Sequence, residues 1–330
     1  MHLPNIESIQ QSYEHVYVSP HMDDAVMSCG GRIATQLSKG ERVLVVTVFT
    51  GDVDEKKKPR GRALDPIINI KKRRVEDEKA MERLGVDYLW LDYIDGIFRY
   101  KVPLLRYGLH TRVMDKERTL CEALLNDIRK ICMVADNKRL FLALGAGQHV
   151  DHQIVFQAGI QLKNIGEKEF KILFYEDFPY VFFPNVLKYR MKLEGLASNQ
   201  RLMGDDLKQK KSIMKEIEGI YEALVGIPTL QLSNPLLKPI IFFSLIIFTI
   251  VVIPLLKPRS YAFNRREISS EISDVSAVIN EKMDAILEYR SQFKGPFEDR
   301  KKIKNALSTY SQAIGGSEEQ YLERYWRIVI

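Results

Sequence analysis

Cysteine is scarce and scattered. The 330 residues contain three, Cys29, Cys121 and Cys132, with no CxxC pair. An odd, dispersed set argues against a disulfide framework and for a reducing compartment. No basic stretch followed by an apolar one occupies Met1 to Gln11, so no secretory signal is read there. Internal repeats and low-complexity tracts are lacking too. Charge is only mildly unbalanced: 49 Lys and Arg against 43 Asp and Glu give +6. That balance suits an anionic substrate or a membrane surface and demands no nucleic acid. Histidine is rare, with six in the chain. Where those six stand therefore matters.

Three of them fall in two short clusters. The first, Ser19-Pro20-His21-Met22-Asp23-Asp24, follows an apolar run, His15 to Val18, and precedes a helix-like segment, Asp24 to Ser38. The second, His149-Val150-Asp151-His152, follows the apolar run Leu140 to Leu144 and again precedes a helix-like segment. Both are read as strand-to-helix turns, where α/β folds place ligands. A lone imidazole is usually structural, and Asp23-Asp24 at a helix start could simply cap free amides. Two such clusters at corresponding turns are harder to explain that way, because burying so many ionisable groups is unfavourable. His and Asp are ligands for zinc, and a catalytic zinc keeps one position open.

Around the clusters, strands and helices alternate. Arg42 to Phe49 is read as a strand, Lys71 to Leu84 as a charged helix stopped by Gly85, and Tyr88 to Leu91 as a strand. Lys116 to Val134 reads as an amphipathic helix and Lys171 to Tyr175 as a strand followed by Glu176-Asp177. Gly30-Gly31 inside the first helix lowers its propensity by roughly 1 kcal/mol each, which points to close packing there. Alternation of this kind predicts a mainly parallel sheet with helices on both faces. In the C-terminal half, Lys208 to Ala223, Ser273 to Tyr289 and Lys301 to Ala313 read as helices, and Tyr321 to Ile330 as a tail docked on the body. The basic loop Lys56 to Arg62 reads as solvated, with an anion site as the alternative.

With its two clusters, the chain resembles the PIG-L, or LmbE-like, zinc-dependent N-deacetylases. Arg73, Glu76, Ala80, Leu84 and Gly85 stand at the spacing of that family's RxxExxxAxxxLG helix, and Asp95-Gly96 matches its following Asp-Gly. The Leu-Glu-Tyr-Arg-Ser-Gln-Phe run within Lys282 to Phe293 resembles its late core helix. The resemblance implies a Rossmann-like layered sandwich with a C-terminal helical and apolar insertion. It divides the chain into a catalytic core at 1–184, an insertion at 185–270 holding an apolar segment at 240–256, and C-terminal helices at 271–330 completing the core. It further implies His21, Asp24 and His152 as ligands of zinc or another divalent metal, and Asp23 as general base. A protonated His149 would stabilise the oxyanion and protonate the leaving amine, with Asp151 orienting its imidazole. Arg73 and Asp95 are the expected substrate contacts, Arg73 alternatively forming a surface ion pair with Glu76 or Glu78. The family's first motif has Pro and Glu where Met22 and Ala25 stand. Some members carry a Tyr at the position of Gly147, so the oxyanion donor is left open between Tyr175, Tyr180 and none.

The implied activity is removal of an N-acetyl group from an amino sugar or its conjugate, lipid-linked conjugates included. Hydrolysis of another N-acyl amide, or a non-catalytic membrane-associated protein with a relic site, are the alternatives. One uncharged run, Ile240 to Leu256, is borderline in length for a span, which takes about 20 apolar residues. Lys238 on one side, and Lys257 and Arg259 on the other, set no orientation. A single crossing would also separate the late helix from the metal site. The run is therefore expected not to span. It is read as a monotopic element on a cytoplasmic membrane face, or as a cap buried in protein or a dimer interface. The corresponding location is cytoplasmic, peripheral or monotopic at the inner membrane face, with the oligomeric state open.

Overall fold

The structure, a computed structural model, describes residues 1–58, 68–99, 113, 115–136, 138–165, 170–182, 186–197, 266–292 and 297–328. The apolar run 240–256, the helix read at 208–223 and residues 59–62 of the basic loop lie outside these. Within them, strand β1 spans His2–Leu3, β2 His15–Ser19, β3 Val43–Thr47, β4 Asp87–Trp90, β5 Arg139–Ala143 and β6 Lys171–Tyr175. Strand β7 spans Leu196–Ala197, β8 Arg266–Asp274 and β9 Leu322–Ile328. They form one nine-stranded sheet in the order β1-β4-β3-β2-β5-β6-β9-β8-β7. β1 to β6 run parallel, and β9 is antiparallel to both β6 and β8. Every residue of β2 and β3 is buried, as strands covered on both faces require.

The winding of this sheet fixes where a site can form. β2 pairs with β3 on one side and with β5 on the other. The chain winds outward through β3 and β4, then crosses back to β5, so the strand order reverses between β2 and β5. A crevice opens outside the carboxyl ends of the strands at such a switch point. Both His/Asp clusters follow these two strands, so topology alone brings them together.

Helix α1 spans Asp24–Ser38 and α2 Ile70–Leu84, the latter stopped by Gly85 at φ 69°. Helix α3 spans Arg118–Ala135, α4 Val150–Ile165 and α5 Val186–Leu193. Helix α6 spans Ile279–Ile286 and α7 Arg300–Ala313. The face of α2 carrying Arg73, Glu76, Ala80 and Leu84 is the buried one.

The C-terminal segment departs from its sequence reading. Ser273 to Tyr289 is not one helix: Arg266–Asp274 is strand β8, Ser276–Val278 a short 3-10 turn, and only Ile279–Ile286 is α-helical. Asp274 breaks the strand by accepting from the backbone N of Ser276 at 3.0 Å and its Oγ at 2.5 Å. The tail does more than dock. As β9 it enters the sheet, with Phe174 opposite Trp326. The region read as C-terminal helices therefore supplies strands as well.

This segment also explains the glycine pair in α1. A Cβ on Gly31 would lie 2.6 Å from Val275 Cβ and 2.9 Å from Glu323 Oε1. The backbone N atoms of Gly31 and Arg32 each donate to one oxygen of Glu323 at 2.9 Å. Lys282 Nζ closes the buried arrangement on Glu323 at 2.7 Å. An alanine at 31 would overpack this contact, at ~1–3 kcal/mol. Removing one partner of such a buried ion pair costs ~3–5 kcal/mol.

Candidate active site

The first cluster turns directly off β2. Ser19 Oγ donates to the His21 carbonyl at 2.5 Å and accepts from Ala25 N at 3.0 Å, folding the chain back into α1. Asp23 occupies the N-cap position but makes no side-chain cap bond, so the capping explanation of Asp23 fails. Asp24 Oδ2 instead accepts from His21 N at 2.9 Å and lies 3.2 Å from His21 Nδ1. The second cluster arrives from β5 with His152, whose Nε2 is also 3.2 Å from Asp24 Oδ2. The three residues expected as metal ligands thus meet at one carboxylate oxygen.

Their outward bonds set the tautomers. His152 Nδ1 is 2.6 Å from Asp177 Oδ1, and the other oxygen of Asp177 accepts from Ala146 N at 2.8 Å. A carboxylate there requires the proton on Nδ1 and leaves Nε2 as a lone pair. His21 Nε2 is 3.1 Å from Asp151 Oδ2, which places its proton on Nε2 and its lone pair on Nδ1. Two imidazole lone pairs and a carboxylate then face one another. His152 Nε2, fully buried, has no aligned hydrogen-bond partner among the described residues. Such a set repels itself unless a cation or protons stand between its members. Zinc bonds of about 2.0–2.2 Å would put tetrahedral donors roughly 3.3–3.6 Å apart, close to the 3.2 Å from each imidazole nitrogen to Asp24 Oδ2. The residues fit a divalent cation.

Without one, protons serve. Neighbouring carboxylates hold both imidazoles above the ordinary histidine range against the opposing effect of burial, His152 to about 9. Asp24 is held far below the usual carboxylate range despite burial, by His152 and His21. Asp23 is pushed up by burial and by the charge of Asp24.

Two groupings present ligand-type atoms within 4.8 Å of one another: His21, His149 and His152, and His21, Asp95, His149 and Asp151. The second is the poorer cation site. Asp151 already accepts from His21, from Gly96 N at 2.9 Å and from Arg99 Nη2 at 2.6 Å. Asp95 Oδ1 accepts from Ile97 N at 2.9 Å, capping a one-turn helix, Gly96–Arg99.

Three sequence readings change here. The Asp151 carboxylate faces His21; its link to His149 is its backbone N, which donates to His149 Nδ1 at 3.2 Å. That bond puts the proton of a neutral His149 on Nε2. In the metal-free chain, burial and the positive charge of His21 drive His149 well below the ordinary histidine range, against the expected imidazolium. Arg73 pairs with neither Glu76 nor Glu78. It is buried, with Nη2 3.8 Å from Asp23 Oδ1 and Nη1 3.8 Å from Asp95 Oδ2. Glu76 holds Ser291 and Glu78 accepts from the Tyr88 hydroxyl. Asp95 is fully buried between His21 and Arg73. Of the basic loop, Lys58 pairs with Asp52 at 3.0 Å and Glu55 at 2.7 Å.

Sequence reasoning passed over Asp177 and Arg99. Asp177 follows β6 as Asp24 follows β2, so its place at a strand's carboxyl end was the available signal. Arg99 had none. Of the two tyrosines considered, Tyr175 donates to the Val18 carbonyl at 3.0 Å inside the core. Tyr180 lies edge-on to His152, ring centres 5.7 Å apart.

Residues 16–163 match the family model PIG-L, GlcNAc-PI de-N-acetylase. A 2′-N-acetylparomamine deacetylase of Niallia circulans is 26% identical over 196 residues, covering 52% of this chain and 69% of that protein. Among solved structures, a deacetylase–bog complex from teicoplanin biosynthesis aligns with a TM-score of 0.62 at 20% identity, covering 96% of this chain and 97% of its own. The A40926 pseudoaglycone deacetylase Dbv21 aligns at 0.59 and 18% identity, with the same coverage of 96% and 97%. At these identities the two structures establish the shared fold. The match through residues 16–163, with both His/Asp clusters inside it, makes that part of the chain similar to the PIG-L de-N-acetylases, hydrolases of amide bonds.

Proposed function

We propose that this protein hydrolyses the N-acetyl group of an amino sugar or amino-sugar conjugate, using a divalent cation, zinc by preference, held by His21, Asp24 and His152. The observation that carries the reading is the convergence of His21 Nδ1 and His152 Nε2 on Asp24 Oδ2, both at 3.2 Å, with the carboxylate of Asp23 beside them. A cation bound there polarises an acyl carbonyl and lowers the pKa of water from 15.7 to about 7. The chain's own residues do the rest. Asp23, whose side chain is 17% exposed, takes a proton from the attacking water. It then hands that proton to the departing amine. His149, its Nδ1 accepting from Asp151 N, donates from Nε2 to the reacting amide. Arg73, between Asp23 and Asp95, fixes the base in place. Asp151 and Asp177 orient the two imidazoles that face Asp24, as carboxylates behind metal-bound histidines do.

The substrate class is supported by the relatives: one is a 2′-N-acetylparomamine deacetylase, and the family's description is of a GlcNAc-PI de-N-acetylase. A lipid-linked conjugate is the narrower form of the reading. It draws on the apolar run 240–256 with Lys238 and Lys257 at its ends, which would hold the chain on a membrane face. The test is acetate release by zinc-loaded protein from a panel of free, glycoside-linked and lipid-linked N-acetylglucosamine compounds. Release from at least one amino sugar is expected. Protein with stoichiometric metal that cleaves none of them would overturn the proposal.

A further inference from the structure

We propose that Tyr180 is a catalytic residue of this site, its phenol O–H donating to the acyl oxygen of the scissile amide as that oxygen becomes an oxyanion. The proposal rests on the deacetylase reading above and adds the residue that stabilises its transition state.

Space makes the first argument. A Cβ on Gly147 would lie 2.4 Å from Tyr180 Cγ and 2.5 Å from its Cδ1. Only the bare backbone of glycine lets the ring of Tyr180 lie across the loop that leads into His149. There the ring stands at 89° to His152, whose Nε2 faces Asp24. The turn that carries Tyr180 is held on both sides. Val181 and Phe182 are buried, Val181 N donates to the Asp177 carbonyl at 3.1 Å, and Phe178 packs on Phe182 and Tyr310. A donor fixed in advance loses little in reorganising during the reaction, which is what makes oxyanion donors effective.

The hydroxyl makes the second argument. No protein group among the described residues hydrogen-bonds it, although the side chain is half-buried. A buried or half-buried phenol normally finds a partner. Tyr175 has one, the Val18 carbonyl, and so is excluded from the chemistry.

In the reaction, the oxygen of water bonds to the acyl carbon while one water proton goes to Asp23. The carbonyl electron pair moves onto oxygen, where the Tyr180 O–H meets it without giving up its proton. The pair then returns, the C–N bond breaks, and Asp23 delivers its proton to nitrogen. Acetate and a free amino sugar result, with water as the only co-reactant.

Tyr180→Phe removes the hydroxyl alone. In the zinc-loaded full chain, kcat on the amino sugar that the wild type cleaves best should fall ~10²–10³-fold, the loss typical of one oxyanion donor. KM, metal content and melting temperature should stay near wild type. A kcat within threefold of wild type would overturn the proposal. A swap adds specificity. A tyrosine introduced by Gly147→Tyr, in a Tyr180→Gly background, enters the same volume from the other side. It should recover at least tenfold of the activity that Tyr180→Gly alone loses; no recovery from a folded, metal-loaded double variant counts against a phenol at this place. Acetate binding by calorimetry separates this proposal from the reading it rests on. If the wild type cleaves no amino sugar, weaker acetate binding in Tyr180→Phe still supports the phenol contact, and equal binding overturns it.

Discussion

The turn after β2 and the turn after β5 do the same topological job with different means of support. The first is self-contained: Ser19, His21, Asp24 and Ala25 bond to one another within seven residues. The second borrows its support from far along the chain. His152 leans on Asp177, the Asp151 carboxylate on Gly96 and Arg99, and the loop between them on Arg190, whose Nε donates to the Leu144 carbonyl at 2.8 Å. Asp177 is itself anchored by its neighbour. Glu176 accepts from Arg324 at 2.6 Å, Trp326 at 2.8 Å and Tyr310 at 2.8 Å, all from α7 and β9. The late segment therefore stands behind the second half of the site without entering it.

The largest test of this contrast is Asp23→Asn, a change confined to the self-contained turn. An amide cannot take the proton from water, so acetate release should fall ~10²–10⁴-fold. Zinc content, measured by elemental analysis, should be unchanged, because Asp23 lies outside the ligand set. Turnover near that of wild type would remove Asp23 from its role.

Metal affinity should also depend steeply on pH. Carboxylates raise the pKa of both imidazoles, His152 to about 9, so near neutrality the metal-free chain binds protons where a cation would sit. Binding must displace them. In the metal-free chain a raised histidine pKa adds stability that is complete below about 6.5 and lost as pH rises through about 9. Zinc affinity should therefore rise between pH 6 and pH 9, by up to about tenfold per unit for each proton released. Calorimetry in buffers of different ionisation enthalpy reads the protons directly. A flat profile would mean that the ligand atoms are not those assigned.

This contrast also sets what could be read from the sequence. The strand, turn and helix around His21 and Asp24 were legible because the bonds that fold the turn itself are local. The pairing of the two turns followed from their shared place at strand ends. What escaped was long-range. Arg266–Asp274 was taken partly for helix because nothing local says that Leu322–Ile328 will pair with it. The resemblance implied that Asp151 orients His149, whereas its carboxylate reaches His21, 130 positions away. Gly30-Gly31 signalled close packing correctly, but its partners, Lys282, Val275 and Glu323, come from the other end of the chain.

Asp177→Asn tests the borrowed support at its strongest point. Asparagine can still accept from the Nδ1–H of His152 but carries no charge to raise the basicity of Nε2. Loss of such a partner typically lowers metal affinity ~10–100-fold. The effect should appear in zinc dissociation, with kcat recovered at saturating zinc. Unchanged affinity would mean that Asp177 serves only to hold Ala146 N.

The smallest expected effect is at Arg99, the member of the site that sequence gave no sign of. Its Nη2 donates to Asp151 at 2.6 Å and Glu117 at 3.0 Å, and its Nη1 to the Ile94 carbonyl at 2.6 Å. Arg99 touches none of the three ligands. It acts through Asp151, whose carboxylate it keeps charged and turned toward His21. Arg99→Lys retains the charge but cannot make the forked contact. Zinc affinity should fall by only a few-fold, about 1 kcal/mol, in line with one charge-assisted hydrogen bond weakened but not abolished. The informative measurement is a double-mutant cycle with Asp151→Asn. If Arg99 works only through Asp151, the Arg99 change should have almost no further effect once Asp151 is neutral, and the two effects will fall short of adding. Full additivity would mean that Arg99 reaches the site by another route, with Glu117 the first place to look.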